Sequence, residues 1–319
     1  MKVNRREFLK VSGTCAAAAM IAMKTPAQEY RNGMPYRTLG RTGEKVSLLC
    51  IGGAHIGMKH VSEEEGIRII RTAIDEGVNF LDNALAYNDG LSEKRMGRAL
   101  KDGYRDKVFL MTKHKGRDRE TAQQHLEDSL RRFDVDVIDL WQFHEIVQPD
   151  LPERIYNEGA IEVALKAKEE GKIRYIGFTG HRYPRFLLEM IERGFPWDTV
   201  QMPLNVLDYH FRSFEHEVLP IALEKNIGVI AMKTLGGSPA EIPVRSKSAS
   251  VEECLRYAMS LPVATVCSGI DSMEKLKQNL AVAKNFRPMS DEERSELLAR
   301  TRLAAETGEF EPYKTKWHG

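Results

Sequence analysis

The sequence predicts an α/β fold, a (β/α)8 barrel of the TIM type with an N-terminal hairpin and an extra C-terminal helix. Two patterns and one incomplete motif lead there. Eight short runs rich in β-branched and apolar residues recur along the chain, and stretches of helical period, roughly ten to fifteen residues long, separate them. Repeated strand–helix units with right-handed crossovers give a parallel sheet, and eight is the number that closes a barrel. The rival is an open doubly wound sheet, which needs a GxGxxG turn after its first strand. Cys50-Ile51-Gly52-Gly53-Ala54-His55-Ile56-Gly57 matches that turn only in part.

The first 27 residues read as an export signal and 34–319 as the barrel. Asn4-Arg5-Arg6-Glu7-Phe8-Leu9-Lys10 is a basic start with an arginine pair, and the uncharged, Ala- and Met-rich stretch 11–23 follows it. Thr25-Pro26-Ala27 offers a small-x-small cleavage site. The segment resembles a twin-arginine signal, which implies the export machinery as a partner and a periplasmic location. Thirteen uncharged residues are too few to span a bilayer well, so no stable membrane anchor is expected.

Beyond a polar linker, Pro35-Tyr36-Arg37-Thr38-Leu39-Gly40 and residues 45–47 predict a hairpin turning at Arg41-Thr42-Gly43. Barrel strands are expected at 47–52, 79–82, 108–113, 137–143, 173–178, 199–202, 228–232 and 264–267. Helices are expected at 63–76, 120–133, 160–170, 183–193, 214–225, 251–260 and 272–285, with the extra one at 291–306. Ile67, Ile70 and Ile74 share one helix face; Ala122, Leu126, Leu130 and Phe133 share another. Gly77, Gly171 and Gly194 stand where helices end.

Composition narrows the function classes. Lys+Arg 47 against Asp+Glu 46 gives a formal charge of +1, so no overall field attracts nucleic acid or acidic lipid. The four cysteines, Cys15, Cys50, Cys254 and Cys267, form no CxxC pair, and no metal is expected. A metal-assisted hydrolase barrel needs converging His and carboxylate ligands, and His55, His60, His114, His181, His210 and His216 lack that spacing.

In such a barrel the working residues sit at the carboxyl ends of the strands. Those ends carry Asp82, Lys113 and His144 in succession, with Tyr87 five residues after Asp82. Asp-x-Ala-x-x-Tyr, a strand-end Lys and Gln-x-His in this order resemble the aldo-keto reductases over nearly all of 36–285. The resemblance implies that Asp82, Tyr87, Lys113 and His144 are catalytic and that a nicotinamide cofactor is used. A phenol titrates at about 10, and a neighbouring ammonium lowers that value. Tyr87 would thus exchange a proton with a carbonyl or alcohol oxygen, Lys113 held by Asp82 would tune it, and His144 would orient the carbonyl.

The resemblance extends to the cofactor. Gly52, Gly53 and Ala54 follow the first strand and, with Asp82, count among the implied cofactor contacts. Gly177-Phe178-Thr179-Gly180 occupies a segment whose Ser and Asn hold the carboxamide in relatives; Thr179 can replace the Ser, whereas Gly180 cannot replace the Asn. Gln201 matches the carboxamide-binding Gln. Met232, Lys233, Thr234, Leu235 and Gly236 resemble the pyrophosphate loop. Ser268, Gly269, Ile270, Lys275, Gln278 and Asn279 resemble the adenosine-phosphate segment. The family leans toward NADP, but an acid at Asp271 disfavours a 2′-phosphate, which leaves NAD open. The implied substrate is a small carbonyl or sugar. Two other readings remain: a redox-neutral lyase or epimerase that retains its nicotinamide, and a non-catalytic nicotinamide-sensing barrel.

Overall fold

The computed structural model describes residues 28–237 and 240–316. The segment read as a twin-arginine signal lies outside that range. Eight parallel strands close a barrel: β4 (Leu49–Gly52), β5 (Phe80–Asp82), β6 (Phe109–His114), β7 (Ile138–Phe143), β8 (Ile173–Thr179), β9 (Thr199–Pro203), β10 (Gly228–Met232) and β11 (Thr265–Gly269). They pair in chain order, and β11 pairs with β4 in register from Val266–Leu49 to Gly269–Gly52. The fold class read from the sequence is the one observed.

These strands form because they are apolar on both faces, as a helix-covered parallel sheet requires. Inside, Cys50, Phe80, Phe109, Met111, Leu140 and Ile230 pack into one cluster with Leu39 and Val46, which enter from below. Phe80 and Phe109 stack at 5.1 Å. Leu39 and Val46 belong to an antiparallel floor whose strands are β1 (Glu29–Arg31), β2 (Met34–Thr38) and β3 (Lys45–Ser47). Arg37, fully buried, donates to the carbonyls of Met259, Leu261 and Val263 and ties that floor to the wall.

Four local expectations are corrected. The run 47–52 is two strands, because Leu48 N donates to Pro35 O at 2.8 Å as the chain leaves the floor for the barrel. The ordered sheet starts before residue 34, since β1 pairs with β2. The helix expected at 214–225 is two pieces, Phe214–Glu217 and Leu219–Glu224, with Pro220 in the first turn of the second. The helix Leu91–Ala99 was not foreseen, because its buried side includes Ser92, Glu93 and Arg95 and shows no apolar period. Glu93 accepts from Thr112 and Ser129 and pairs with Arg132.

After the helix Asp291–Ala305 the tail turns back over the C-terminal ends of the strands as Pro312–Thr315. Lys314 is fully buried there, its Nζ 2.5 Å from Asp208 Oδ1 and 3.1 Å from Glu311 Oε1. Removing the ammonium would leave two buried carboxylates without a cation. Lys314→Met is therefore expected to cost about 3–5 kcal/mol of stability, measured by denaturant unfolding. Adding Asp208→Asn should recover part of that loss, and simple additivity of the two changes would argue against the pairing.

Candidate active site

Four side chains named from the sequence meet at the barrel mouth. Asp82 ends β5, Lys113 is the penultimate residue of β6, and His144 follows β7 directly. Tyr87 stands on the turn after β5, where Asn88 and Asp89 take left-handed backbone angles (φ 51° and 54°). Asn88 Nδ2 holds that turn by donating to Ala54 O at 2.7 Å and Ser92 Oγ at 2.9 Å.

The Lys113 ammonium uses its three donors on Asp82 Oδ1, on Asn83 O at 2.7 Å and on the Tyr87 hydroxyl at 3.2 Å. The other carboxylate oxygen of Asp82 accepts from Gln201 Nε2 at 2.7 Å and from Cys267 Sγ at 3.0 Å. The His144 ring meets Tyr87 edge-on, with centroids 5.9 Å apart.

Burial dominates the electrostatics. It pushes the Tyr87 phenol up to about 12, with Lys113 pulling the other way. Desolvation outweighs the Lys113 charge, whose pull has the sign expected of a neighbouring ammonium. Burial also opposes charge on Lys113, yet Asp82 and Tyr87 beside it overcome that and hold the amine above its ordinary value. Burial first, then the Lys113 charge, drives His144 well below the usual imidazole range, so it is neutral at pH 7. Its Nδ1 is buried with no protein partner.

Most of the implied cofactor residues surround this centre. Gln201, fully buried, leaves Oε1 without a partner, an acceptor suited to an amide N–H. Thr179 Oγ1 accepts from Glu145 N at 3.2 Å and keeps its own hydrogen to donate. A Cβ at Gly180 would lie 2.8 Å from Ile146 O, so no longer side chain fits there. Gly52 and Gly53 serve close packing: a Cβ on Gly52 would be 3.1 Å from Ser268 O, and one on Gly53 would be 2.7 Å from Asn83 Nδ2. Met232 ends β10 half-buried, and Lys233 follows with φ 58°. Gly236 N donates to Lys233 O at 2.8 Å, closing a tight turn over buried Thr234 and half-buried Leu235. Ser268 Oγ accepts from Asn279 Nδ2 at 2.8 Å, Gly269 abuts His55, and Ile270 is buried. Lys275 is engaged by Asp271 at 2.7 Å. Gln278 is not brought to the mouth; it is exposed on the outer groove with Glu252 and Arg256.

Sequence reasoning missed three groups. Cys267 faces Asp82, and its register with inward-facing Cys50 is the signal that could have shown this. Glu145, at φ 66°, bridges His181 (3.0 Å) and Lys115 (2.6 Å) at the rim. Asn205 Nδ2 reaches Lys233 O, Glu311 Oε1 and the Tyr313 hydroxyl at 3.0–3.1 Å, linking the turn after β10 to the tail. Among the described residues no cluster of His, Cys, Asp or Glu has a metal-ligand arrangement.

Residues 48–242 match the model of the aldo/keto reductase family. The chain belongs to the aldo/keto reductase family. The chain is similar to YrpG of Bacillus subtilis, described as an uncharacterized oxidoreductase, at 33% identity over 228 residues covering 64% of this chain and 67% of that one. L-galactose dehydrogenase of Arabidopsis thaliana is 29% identical over 280 residues, 77% of this chain and 86% of its own. Among solved structures, aldo-keto reductase AKR11C1 from Bacillus halodurans in its holo form superposes with a TM-score of 0.71 at 27% identity, covering 84% of this chain and 96% of that one. A Klebsiella pneumoniae aldo/keto reductase in complex with NADP and acetate shares the fold, with a TM-score of 0.68 at 22% identity over 83% of this chain and 94% of its own. As a family member this chain is an NAD(P)-dependent oxidoreductase.

Proposed function

We propose that this reductase interconverts a small carbonyl compound, an aldehyde, ketone or keto-sugar, with its alcohol, using Tyr87 as the proton-transferring group. The observation that carries the reading is the Lys113 ammonium shared between Asp82 and the Tyr87 hydroxyl, with neutral His144 edge-on to the same phenol. A bound nicotinamide supplies or accepts the hydride. The orphaned Gln201 Oε1 and the Thr179 hydroxyl fit its carboxamide, and the backbone amides of Thr234 and Leu235 in the turn that Gly236 closes suit its phosphates.

In this reading Tyr87 gives its proton to the carbonyl oxygen in reduction and takes it back from the alcohol in oxidation. Lys113 stabilises the phenolate, and His144 hydrogen-bonds the substrate oxygen. The cofactor is NADP or NAD, and titrating the purified protein with NADPH and NADH ranks the two. A panel of aldehydes, ketones and keto-sugars read at the nicotinamide absorbance tests the activity. Tight nicotinamide binding without turnover on any of them would favour a sensing barrel instead.

The phenol's position fixes a pH signature. Reduction needs the protonated phenol, so its rate should stay flat through neutrality and fall only as pH approaches about 12. Oxidation needs the phenolate, so its rate should rise by about tenfold per pH unit over the neutral and mildly alkaline range. Equal, flat profiles in both directions would remove Tyr87 from the proton transfer.

The arginine pair Arg5-Arg6 and the apolar run after it support export in the folded state to the periplasm. There a retained nicotinamide would be recycled within one active site. The tail supports retention: a Cβ on Gly236 would lie 2.9 Å from Phe310 O, and the Lys233 amine sits 5.6 Å above the Tyr313 ring. Mass spectrometry of protein from the exported fraction should find nicotinamide in near-stoichiometric amount. Cofactor-free protein in that fraction, or no export at all, would count against it.

A further inference from the structure

Among the described residues one thiol is hydrogen-bonded to the charged centre of the site. Cys267 lies in the middle of β11 and donates to Asp82 Oδ2 at 3.0 Å. Gln201, from β9, donates to the same oxygen at 2.7 Å, while Lys113 holds Oδ1. Gly52 leaves room for the sulfur, since a Cβ there would lie 3.2 Å from Cys267 Sγ. Behind it Cys50 is the register partner across the β4–β11 ladder.

We propose that Cys267 is a positioning residue whose S–H fixes the Asp82 carboxylate in the orientation that keeps Lys113 on Tyr87. The proposal rests on the reading of Tyr87 as the proton-transferring group. An ionised carboxylate only accepts hydrogen bonds, and its plane is set by where its donors stand. Here the donors come from three strands: Lys113 on one oxygen, Gln201 and Cys267 on the other. If the carboxylate turns, the ammonium follows Oδ1 and its 3.2 Å bond to the phenol lengthens. Without the thiol hydrogen, more of the carboxylate's charge also falls on Lys113, which then stabilises the phenolate less.

The thiol suits this task because it stays protonated. The Cys50 thiol beside it, burial and the charge of Asp82 hold it well above the ordinary thiol range, so it keeps its hydrogen at any working pH. The charged and titratable groups that act on Tyr87 are Lys113, Asp82 and Cys267, with the His144 ring against it. Of these, losing the thiol alters only the balance between Asp82 and Lys113. The limb of the pH profile governed by the phenol therefore moves upward.

Two variants separate donation from packing. Cys267→Val keeps the bulk and loses the donor; it is expected to lower kcat about tenfold, with KM within about twofold, and to shift the phenol limb to higher pH. Cys267→Ser keeps a donor and is expected to restore kcat to within about threefold and return the limb to its original place. Wild-type behaviour in Cys267→Val, or equal losses in both variants, overturns the proposal. The S–H stretch in the infrared, assigned by its absence in Cys267→Ser, gives a readout without turnover. It is expected at a hydrogen-bonded frequency that moves toward the unbonded one in Asp82→Asn, and a band that ignores Asp82 also overturns the proposal. A wild-type protein with an Asp82-sensitive band but no turnover on any carbonyl would overturn the reading of Tyr87 while supporting the thiol's hold on Asp82.

Discussion

Replacing Tyr87 with phenylalanine is expected to lower turnover about a thousandfold while leaving nicotinamide affinity within about twofold, because only the transferable proton is lost. The ring and its edge contact with His144 remain, and Lys113 keeps Asp82 and Asn83 as acceptors. Folding should therefore change by only about 1 kcal/mol, the net worth of one hydrogen bond. Cofactor binding is followed through quenching of Trp141 and Trp197, the turnover through nicotinamide absorbance. Preserved turnover in Tyr87→Phe would remove the phenol from the chemistry. Lost binding would instead make it a cofactor contact.

Lys113→Met is the second large effect, and it should appear in stability as well as rate. Lys113 and Asp82 are both almost fully buried, at 1% and 5% side-chain exposure. Taking away the ammonium strands a carboxylate whose remaining donors are one amide and one thiol, at a cost of about 3–5 kcal/mol. Turnover should fall by about a hundredfold or more, because the phenolate loses its counter-charge. The double variant Lys113→Met with Asp82→Asn discriminates the two consequences. It is expected to recover most of the stability, since no buried charge is left over, and none of the turnover. Recovery of both, or of neither, would show that the pair does not act as drawn.

The barrel was legible in the sequence because its strands are short, mostly apolar runs set between stretches of helical period. The strand-end positions of Asp82, Lys113 and His144 followed from that alone. Most of what stayed hidden depended on polar groups that the fold buries. The helix Leu91–Ala99 turns Ser92, Glu93 and Arg95 inward, so it showed no apolar stripe. Gln278 looked like a cofactor contact by position, yet its place on the helix turns it to the outer groove. Only coordinates show Asn205 and Asp208 reaching Glu311, Tyr313 and Lys314 across more than a hundred residues of chain. The balance at Tyr87 was likewise out of reach, because spacing gives the neighbour's charge but not how completely water is removed.

The floor has a kinetic consequence. Leu39 and Val46 plug the lower end, with Arg37 binding them to the wall, so traffic to Tyr87 enters and leaves at the opposite end. A molecule just made must back out along the route the next one needs. Accumulating alcohol should then slow the forward reaction by occupying the approach, and progress curves should bend earlier than substrate depletion alone would make them.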